Sequence, residues 1–369
     1  MNIYDDSLME VLDRKLRAEM ERNADKIPYI AHDGRYETDM RQKNLSWWTN
    51  GFWAGMLWQM YHATHDPLYR RVAEKTEGWL DEAMENFLGL HHDVGFMWRL
   101  SAVADYSLTG NEKSRVRALH AATLLAGRFN LNGQYIRAWN LDKPGWMIVD
   151  CLMNLSLLYW ASEETGDPRF GQIARAHADT ALRVLARPDG STNHIAVLDP
   201  DSGELLSCPA GQGYSEGSSW SRGQAWAVYG YAISAAHTGE QRYLDAARRA
   251  ANYFIANVAE DGWVSRVDFR SPQTPVYLDT TATACTVCGL LALEELVTAE
   301  ERPLYRRAAE KMLQALLDGH CDWDPVRDGI LQNGTAAYGH EDTHVPIIYG
   351  DYFLVESLLW LRQKAFRAW

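Results

Sequence analysis

The sequence predicts an all-α fold, an (α/α)6 barrel of six inner and six outer helices with long loops at one end, and three observations carry that reading. One amphipathic pattern recurs, as DPLYRRVAEKTEGWLDEAM, DPRFGQIARAHADTALRVLA, EQRYLDAARRAANYFIANV and RPLYRRAAEKMLQALLDG. Each copy has a polar or proline-containing cap, an early aromatic and then apolar residues at helical spacing. Between the copies lie segments that are apolar nearly all round and rich in small residues, and a helix without a polar face is a buried one. Finally, the connections are asymmetric: those after the apolar segments are tight (THDP, TGDP, TGEQ), while those before them are long and variable.

In chain order, an amphipathic helix over roughly Asp6–Asn23 opens the outer layer, and NGFWAGMLWQMYHATHD is the first inner helix. VGFMWRLSAVADYSLTG is the second inner helix, with EKSRVRALHAATLLAGRF returning on the outside. GWMIVDCLMNLSLLYWA opens the third, and RGQAWAVYGYAISAAHTGE, TTATACTVCGLLALEEL and YGDYFLVESLLWLRQK supply the rest. Six outer and six inner helices in alternation close into a barrel, whereas an open solenoid calls for repeats of more uniform length. The chain, residues 1–369, reads as a single catalytic domain. Its longest loop, 187–221, contains the strand-like HIAVLDPDSGELL, which predicts a hairpin flap.

Composition narrows the function. A formal charge of −13 argues against nucleic acid or an anionic membrane as partner, because both demand basic surface. No segment has the apolar length of a membrane span. The first twenty residues carry no basic-then-apolar leader pattern, and the five cysteines are scattered, so the expectation is a cytoplasmic protein, monomer or homodimer. Fifteen Trp and 18 Tyr exceed what a core requires and suit the stacking of sugar rings.

In an alternating barrel the N-terminal ends of all inner helices face one way, and long loops at one end of a scaffold are where function sits. That end collects Trp47, Trp48 and Asn50; His91, His92 and Asp93; Arg137 and Trp139; His194, Gln212, Trp220, Arg222 and Trp226; and Asp279, Tyr338 and Asp351. Asp279 and Asp351 read as helix caps. Asp150 does not, because it sits inside the apolar run GWMIVDCLMNL, about one turn into a helix that starts at Trp146. Burying a carboxylate there costs several kcal/mol unless it is paired or protonated. The pocket implied is aromatic-walled, has acids to move protons, and has Arg222 and His194 available for a substrate carboxylate.

The blocks WTNGFWAGMLW, LHHDVGFMW, DCLMNLSLLYWASEETGDP, GSSWSRGQAWAVYGYA and YGDYFLVESLLWL run in order along almost the whole chain and resemble the unsaturated glucuronyl hydrolases, glycoside hydrolase family 88. The resemblance implies the same barrel and an enzyme that removes the 4,5-unsaturated uronic acid from oligosaccharides made by polysaccharide lyases. It implies Asp150 as general acid/base and Asp93 as second essential acid. Trp48, His92, Trp139, His194, Gln212, Trp220, Arg222 and Trp226 fall at positions lining the uronate subsite. The chemistry implied is protonation of C4 and hydration of C5 of a vinyl ether, with no cofactor and no metal. One departure is Asn50, where the family pattern has Asp; it removes a negative charge near the pocket and bears on substrate preference.

Rival readings are the related unsaturated rhamnogalacturonyl hydrolases (family 105), a conventional inverting glycosidase, and a non-catalytic acidic-sugar-binding protein. HHDVGF and SSWSRGQAW favour family 88, and an acid buried among apolar residues weighs against mere binding. HEDTH, residues 340–344, matches a zinc-protease pattern that works only on a helix; glycines before it and Pro346 after it place it in a loop. Cys285 and Cys288 have Cys-x-x-Cys spacing without a second pair and read as core.

Overall fold

The computed structural model describes residues 2–369. The outer helices are α1 (Ser7–Asn23), α4 (Pro67–Asn86), α7 (Glu112–Ala126), α9 (Pro168–Val184), α11 (Gln241–Ala259) and α13 (Arg302–Gly319). The inner ones are α3 (Phe52–Thr64), α5 with α6 (Val94–Trp98 and Ala104–Thr109, joined by a π-helical turn over Arg99–Val103), α8 (Cys151–Thr165), α10 (Ser221–Thr238), α12 (Thr280–Leu296) and α14 (Ile348–Leu361). Each inner helix packs on the next and α14 packs back on α3, so the ring closes. The short α2 (Met40–Lys43) and a 3-10 turn at Trp48–Gly51 precede α3.

The two layers follow from the two kinds of sequence. In α9 only Ala174, His177, Ala178, Thr180, Ala181 and Val184 are buried, one stripe on one face, whereas every residue from Cys151 to Ala161 in α8 is buried. Small residues let the inner helices approach: a Cβ on Gly230 of α10 would sit 2.4 Å from the Leu152 side chain of α8. Caps fix the tight turns. Asp66, Asn111 and Asp167 each accept a backbone N–H two residues on, and Pro67 and Pro168 stand at the first helical position. His65, Gly110, Gly166 and Gly239 end the preceding inner helices in the left-handed conformation.

The long-loop end carries two small antiparallel sheets. β1 (Phe129–Asn130) pairs with β2 (Tyr135–Ile136); β3 (Trp146–Ile148), β4 (Ile195–Leu198) and β5 (Leu205–Ser207) form the second, in that order. The flap expected at HIAVLDPDSGELL is therefore present as β4 and β5. The expected helix start at Trp146 is corrected: Trp146–Ile148 is a strand, and α8 begins at Cys151. A short apolar run of this kind has no periodicity to distinguish helix from strand, and pairing with β4 decides it. No helix among the described residues is long and apolar enough to cross a membrane.

Candidate active site

The β3–β4 ladder brings the first acid into place. Ile148 pairs with Ile195, and the Val149 N–H donates to the His194 carbonyl (3.0 Å), so the ladder delivers Asp150 beside His194 just as the chain turns into α8. Asp150 occupies the cap position of α8 but makes no capping bond with its side chain. Its Oδ1 is buried without a hydrogen-bond partner, with His194 Nε2 3.6 Å away. Burial first, and then the negative charge of Asp93, push the Asp150 carboxyl up to about 7; His92 and Arg222 oppose this.

His194 is held as a neutral donor. The Gln212 N–H donates to its Nδ1 (3.0 Å), so the ring proton sits on Nε2, facing Asp150. Burial, and then the charge of Arg222, hold the imidazole at about 3. Gly211, at φ +62°, makes this approach possible, since a Cβ there would lie 2.1 Å from His194 Nδ1. The Trp220 ring packs on the imidazole at 4.2 Å between centroids.

Asp93, at the start of α5, is the opposite case. Burial alone would raise its carboxyl, but His92 at 3.1 Å, His91 at 3.3 Å and the Asn154 amide at 3.1 Å bring it below the ordinary carboxylate range. His92 Nδ1–H donates to the Ala138 carbonyl (2.8 Å), leaving Nε2 toward Asp93. Burial opposes its charge, yet Asp93 outweighs burial and raises the imidazole. The site thus holds an ionised acid paired to an imidazolium beside an acid that keeps its proton, which is the division an acid/base pair requires.

Both acids open on one cavity of about 550 Å³, whose wall includes Trp48, Asp93, Trp139, Asp150, Gln212, Trp220 and Arg222. Trp48 lies against Tyr349 (4.8 Å between centroids), and Trp139 stands edge-on to Trp146. Of the ten expected site residues, these seven reach the cavity. His92 and His194 stand behind the acids they contact, and Trp226 packs under the floor on Phe96 (5.2 Å) and Phe353. Its place one turn inside α10 buries it in the ring rather than exposing it at the mouth.

Of the two residues read as available for a substrate carboxylate, Arg222 reaches the cavity wall with its charge already paired, and His194 stands behind Asp150. Arg222 is buried and paired with Asp279 (2.6 Å), and its guanidinium also donates to the Thr335 and Ala336 carbonyls. It faces the cavity as a neutralised cation between Trp220 and Tyr349. Asp279 stands at the cap position of α12, but its carboxylate takes the Thr281 hydroxyl (2.6 Å) and Arg222 instead of a backbone N–H of that helix, and Asp351, in the first turn of α14, accepts from the Ile330 and Leu331 N–H groups, so neither makes the capping bond expected. Asn50 is buried and donates to the Asn44 and Leu45 carbonyls, two bonds an aspartate could not make, and it shapes the loop carrying Lys43 and Asn44 instead of facing the cavity.

Sequence reasoning missed part of the wall: Tyr29, Ile148, Tyr349 and, on either side of Tyr338, Ala336, Ala337 and residues 340–342. The last includes the start of HEDTH, which is a loop as expected. His340 Nδ1 accepts the Asp342 N–H and His344 Nε2 the Leu278 N–H, so the two imidazoles are tied separately. His91, His92 and Asp93 have ligand atoms within 4.8 Å of one another, with His92 Nε2 3.1 Å from Asp93 Oδ1. Cys285 and Cys288 are buried in α12 with their thiols pushed up by burial, in keeping with core packing.

A sequence model of Glycosyl Hydrolase Family 88 matches residues 19–352. The chain belongs to glycosyl hydrolase family 88. It is similar to an unsaturated glucuronyl hydrolase of Bacillus sp. (strain GL1), at 36% identity over 95% of this chain and 94% of that one. It is also similar to an unsaturated chondroitin disaccharide hydrolase of Streptococcus pneumoniae, at 31% identity over 85% and 81%. Among solved structures, the Bacillus sp. GL1 unsaturated glucuronyl hydrolase, described as responsible for the degradation of glycosaminoglycan, superposes with a TM-score of 0.91 at 35% identity, covering 97% of each chain. That of Streptococcus agalactiae gives 0.90 at 28% identity, covering 98% and 92%. Family 88 membership makes the chain a hydrolase and its barrel the family barrel.

Proposed function

We propose that this chain removes the 4,5-unsaturated uronic acid from the non-reducing end of lyase-generated oligosaccharides, glycosaminoglycan or related, by protonating and hydrating the C4=C5 vinyl ether. The observation that carries the reading is the Asp150 carboxyl, held at about 7 beside the ionised Asp93 in one aromatic-walled cavity. An acid that is protonated near neutrality, next to a base that is not, is suited to donate a proton to carbon and recover one from water.

Asp150 gives its proton to C4, and the positive charge that develops at C5 is shared with the ring oxygen. The new carboxylate lies 3.6 Å from the His194 Nε2–H, a neutral donor that favours the charged form without competing for the proton. Water adds at C5 and passes a proton back to Asp150. The hemiketal opens to a C5 ketone, and the hemiacetal left at C1 collapses to an aldehyde and releases the leaving sugar. Asp93 stays ionised and orients the sugar hydroxyls, while Trp48, Trp139 and Trp220 supply flat faces for the rings. Gln212, whose side-chain amide donates to the Ala336 carbonyl at 2.6 Å, keeps its amide oxygen for a hydroxyl.

The test follows the near-ultraviolet band of the conjugated double bond in an unsaturated chondroitin or hyaluronan disaccharide, with wild type and Asp150→Asn. Loss of the band with wild type alone supports the reading. Persistence of the band across unsaturated uronyl substrates, with cleavage of a saturated glucuronide, overturns it in favour of ordinary glycoside hydrolysis.

A further inference from the structure

Asn154 belongs to no role assigned so far, yet it touches both acids. It lies one turn beyond Asp150 on α8 and is fully buried. Its Oδ1 accepts the Phe96 backbone N–H at 2.7 Å. A backbone N–H can only donate, so that end of the amide is the oxygen and the other end is the NH₂. The NH₂ donates to Asp93 Oδ1 at 3.1 Å and to the Asp150 carbonyl at 3.2 Å, both acceptors. All three bonds agree on one orientation, and a flipped amide would break each of them.

The neighbouring glycine shows how tightly this contact is built. A Cβ on Gly95 would sit 2.4 Å from Asn154 Oδ1 and 2.6 Å from its Cα, so the starts of α5 and α8 meet at a point only glycine allows. Asp93 opens the first of these helices and Asp150 the second. We propose that Asn154 is a positioning residue of the reaction: its amide ties the Asp93 carboxylate to the first turn of α8, so that the two acids keep one separation and Asp93 keeps its charge.

The groups that face Asp93 are few. His91 and His92 precede it, Asp150 and Cys151 come from the start of α8, and Arg128 adds a positive charge from the end of α7. Of these only His92 contacts the same carboxylate oxygen as Asn154. A hydrogen bond donated to the charged form favours that form, so removing the Asn154 donor makes Asp93 easier to protonate. The inference rests on the function proposed above.

The experiment compares wild type with Asn154→Leu, which keeps the branched outline and heavy-atom count, though with bulkier methyls, but loses both donors and the acceptor for Phe96, and with Asn154→Asp, which can replace the donor only while protonated. The kcat/KM profile on an unsaturated chondroitin disaccharide is read from pH 4 to 8.5, with circular dichroism melts to confirm folding. Asn154→Leu should lose about 100-fold at the optimum, as a misplaced catalytic pair does, with the acid limb displaced to higher pH. Asn154→Asp should recover part of that loss at pH 5 and lose it again as pH rises. The activity-independent readout is the titration of the Asp93 carboxyl carbon by NMR, whose midpoint should rise in Asn154→Leu. Limbs and midpoint unchanged in a folded variant would overturn the inference and leave Asn154 a helix tie. If wild type were inactive on every unsaturated substrate, the function would fall while the NMR midpoint still decided the role of Asn154; if Asn154→Leu did not fold, the Asn154→Asp profile would decide it.

Discussion

Replacing Asp93 by Asn tests how the proton on Asp150 is kept. With its carboxyl at about 7, Asp150 is about nine-tenths protonated at pH 6, whereas at the ordinary 3.8 it would be protonated in about one molecule in 160. The difference, about three units, corresponds to roughly 4 kcal/mol between the two protonation states. Burial is the largest cause and survives the substitution; the Asp93 charge is second and does not. His92 opposes Asp93, but its own charge is sustained by Asp93 and is lost with it. The alkaline limb of kcat/KM, where activity disappears as Asp150 gives up its proton, should therefore fall by about 0.5–1 unit while staying far above 3.8. The assay is the rate of band loss at pH 4.5–8.5, with more enzyme for the variant, because losing Asp93 should also cost about 100-fold or more in rate. A limb that stays put or moves up would refute the electrostatic part of the account. A wild-type limb below pH 5 would refute Asp150 as the titrating acid.

Three further outcomes follow from other contacts. Gly211→Ala places a Cβ against His194 Nδ1 in a left-handed residue, a backbone cost of about 1–2 kcal/mol before the clash is counted. We expect a lower Tm and at least tenfold lower kcat/KM, and unaltered kinetics would show that His194 need not be held. Arg222→Met leaves Asp279 buried and unpaired, which should cost about 3–5 kcal/mol in urea unfolding, with Arg222→Met/Asp279→Asn recovering part of it. Finally, burial and then the charge of Asp351 push the Glu19 carboxyl up to about 8, so between about pH 4.5 and 8 the folded chain binds more protons there than the unfolded chain. Its contribution is full below about 4.5 and is lost as pH rises to about 8; Glu19→Gln should flatten the decline of Tm across that window.

Much of the barrel was legible because its two kinds of helix obey different burial rules. Asp66 and Asp167, in the DPLY and DPRF starts, mark helix starts by a local hydrogen bond that sequence alone predicts. The acids were legible for a related reason: Asp150 is the charged residue that its apolar neighbours cannot explain. What escaped depends on distant partners. Trp146–Ile148 is a strand only because Ile195–Leu198 lies beside it. Arg222 is a neutralised cation only because Asp279, 57 residues away, reaches it. Trp226 shares the composition of the mouth but lies under its floor, and the wall at residues 336–337 and 340–342 carries no periodic pattern. Asn154 sits i+4 from Asp150, a spacing visible in the sequence, but its value comes from Asp93 and Phe96 on another helix.

The central claim is that Asp150 protonates carbon rather than the glycosidic oxygen, and isotope incorporation tests it most directly. An unsaturated chondroitin disaccharide is turned over in D₂O, and the released uronic acid is examined by NMR and mass spectrometry from the earliest turnover onward. The account predicts a single deuteron at C4, delivered to one face, and no such product with Asp150→Asn. A released uronic acid that keeps its C4=C5 bond and carries no deuterium at C4 would contradict it.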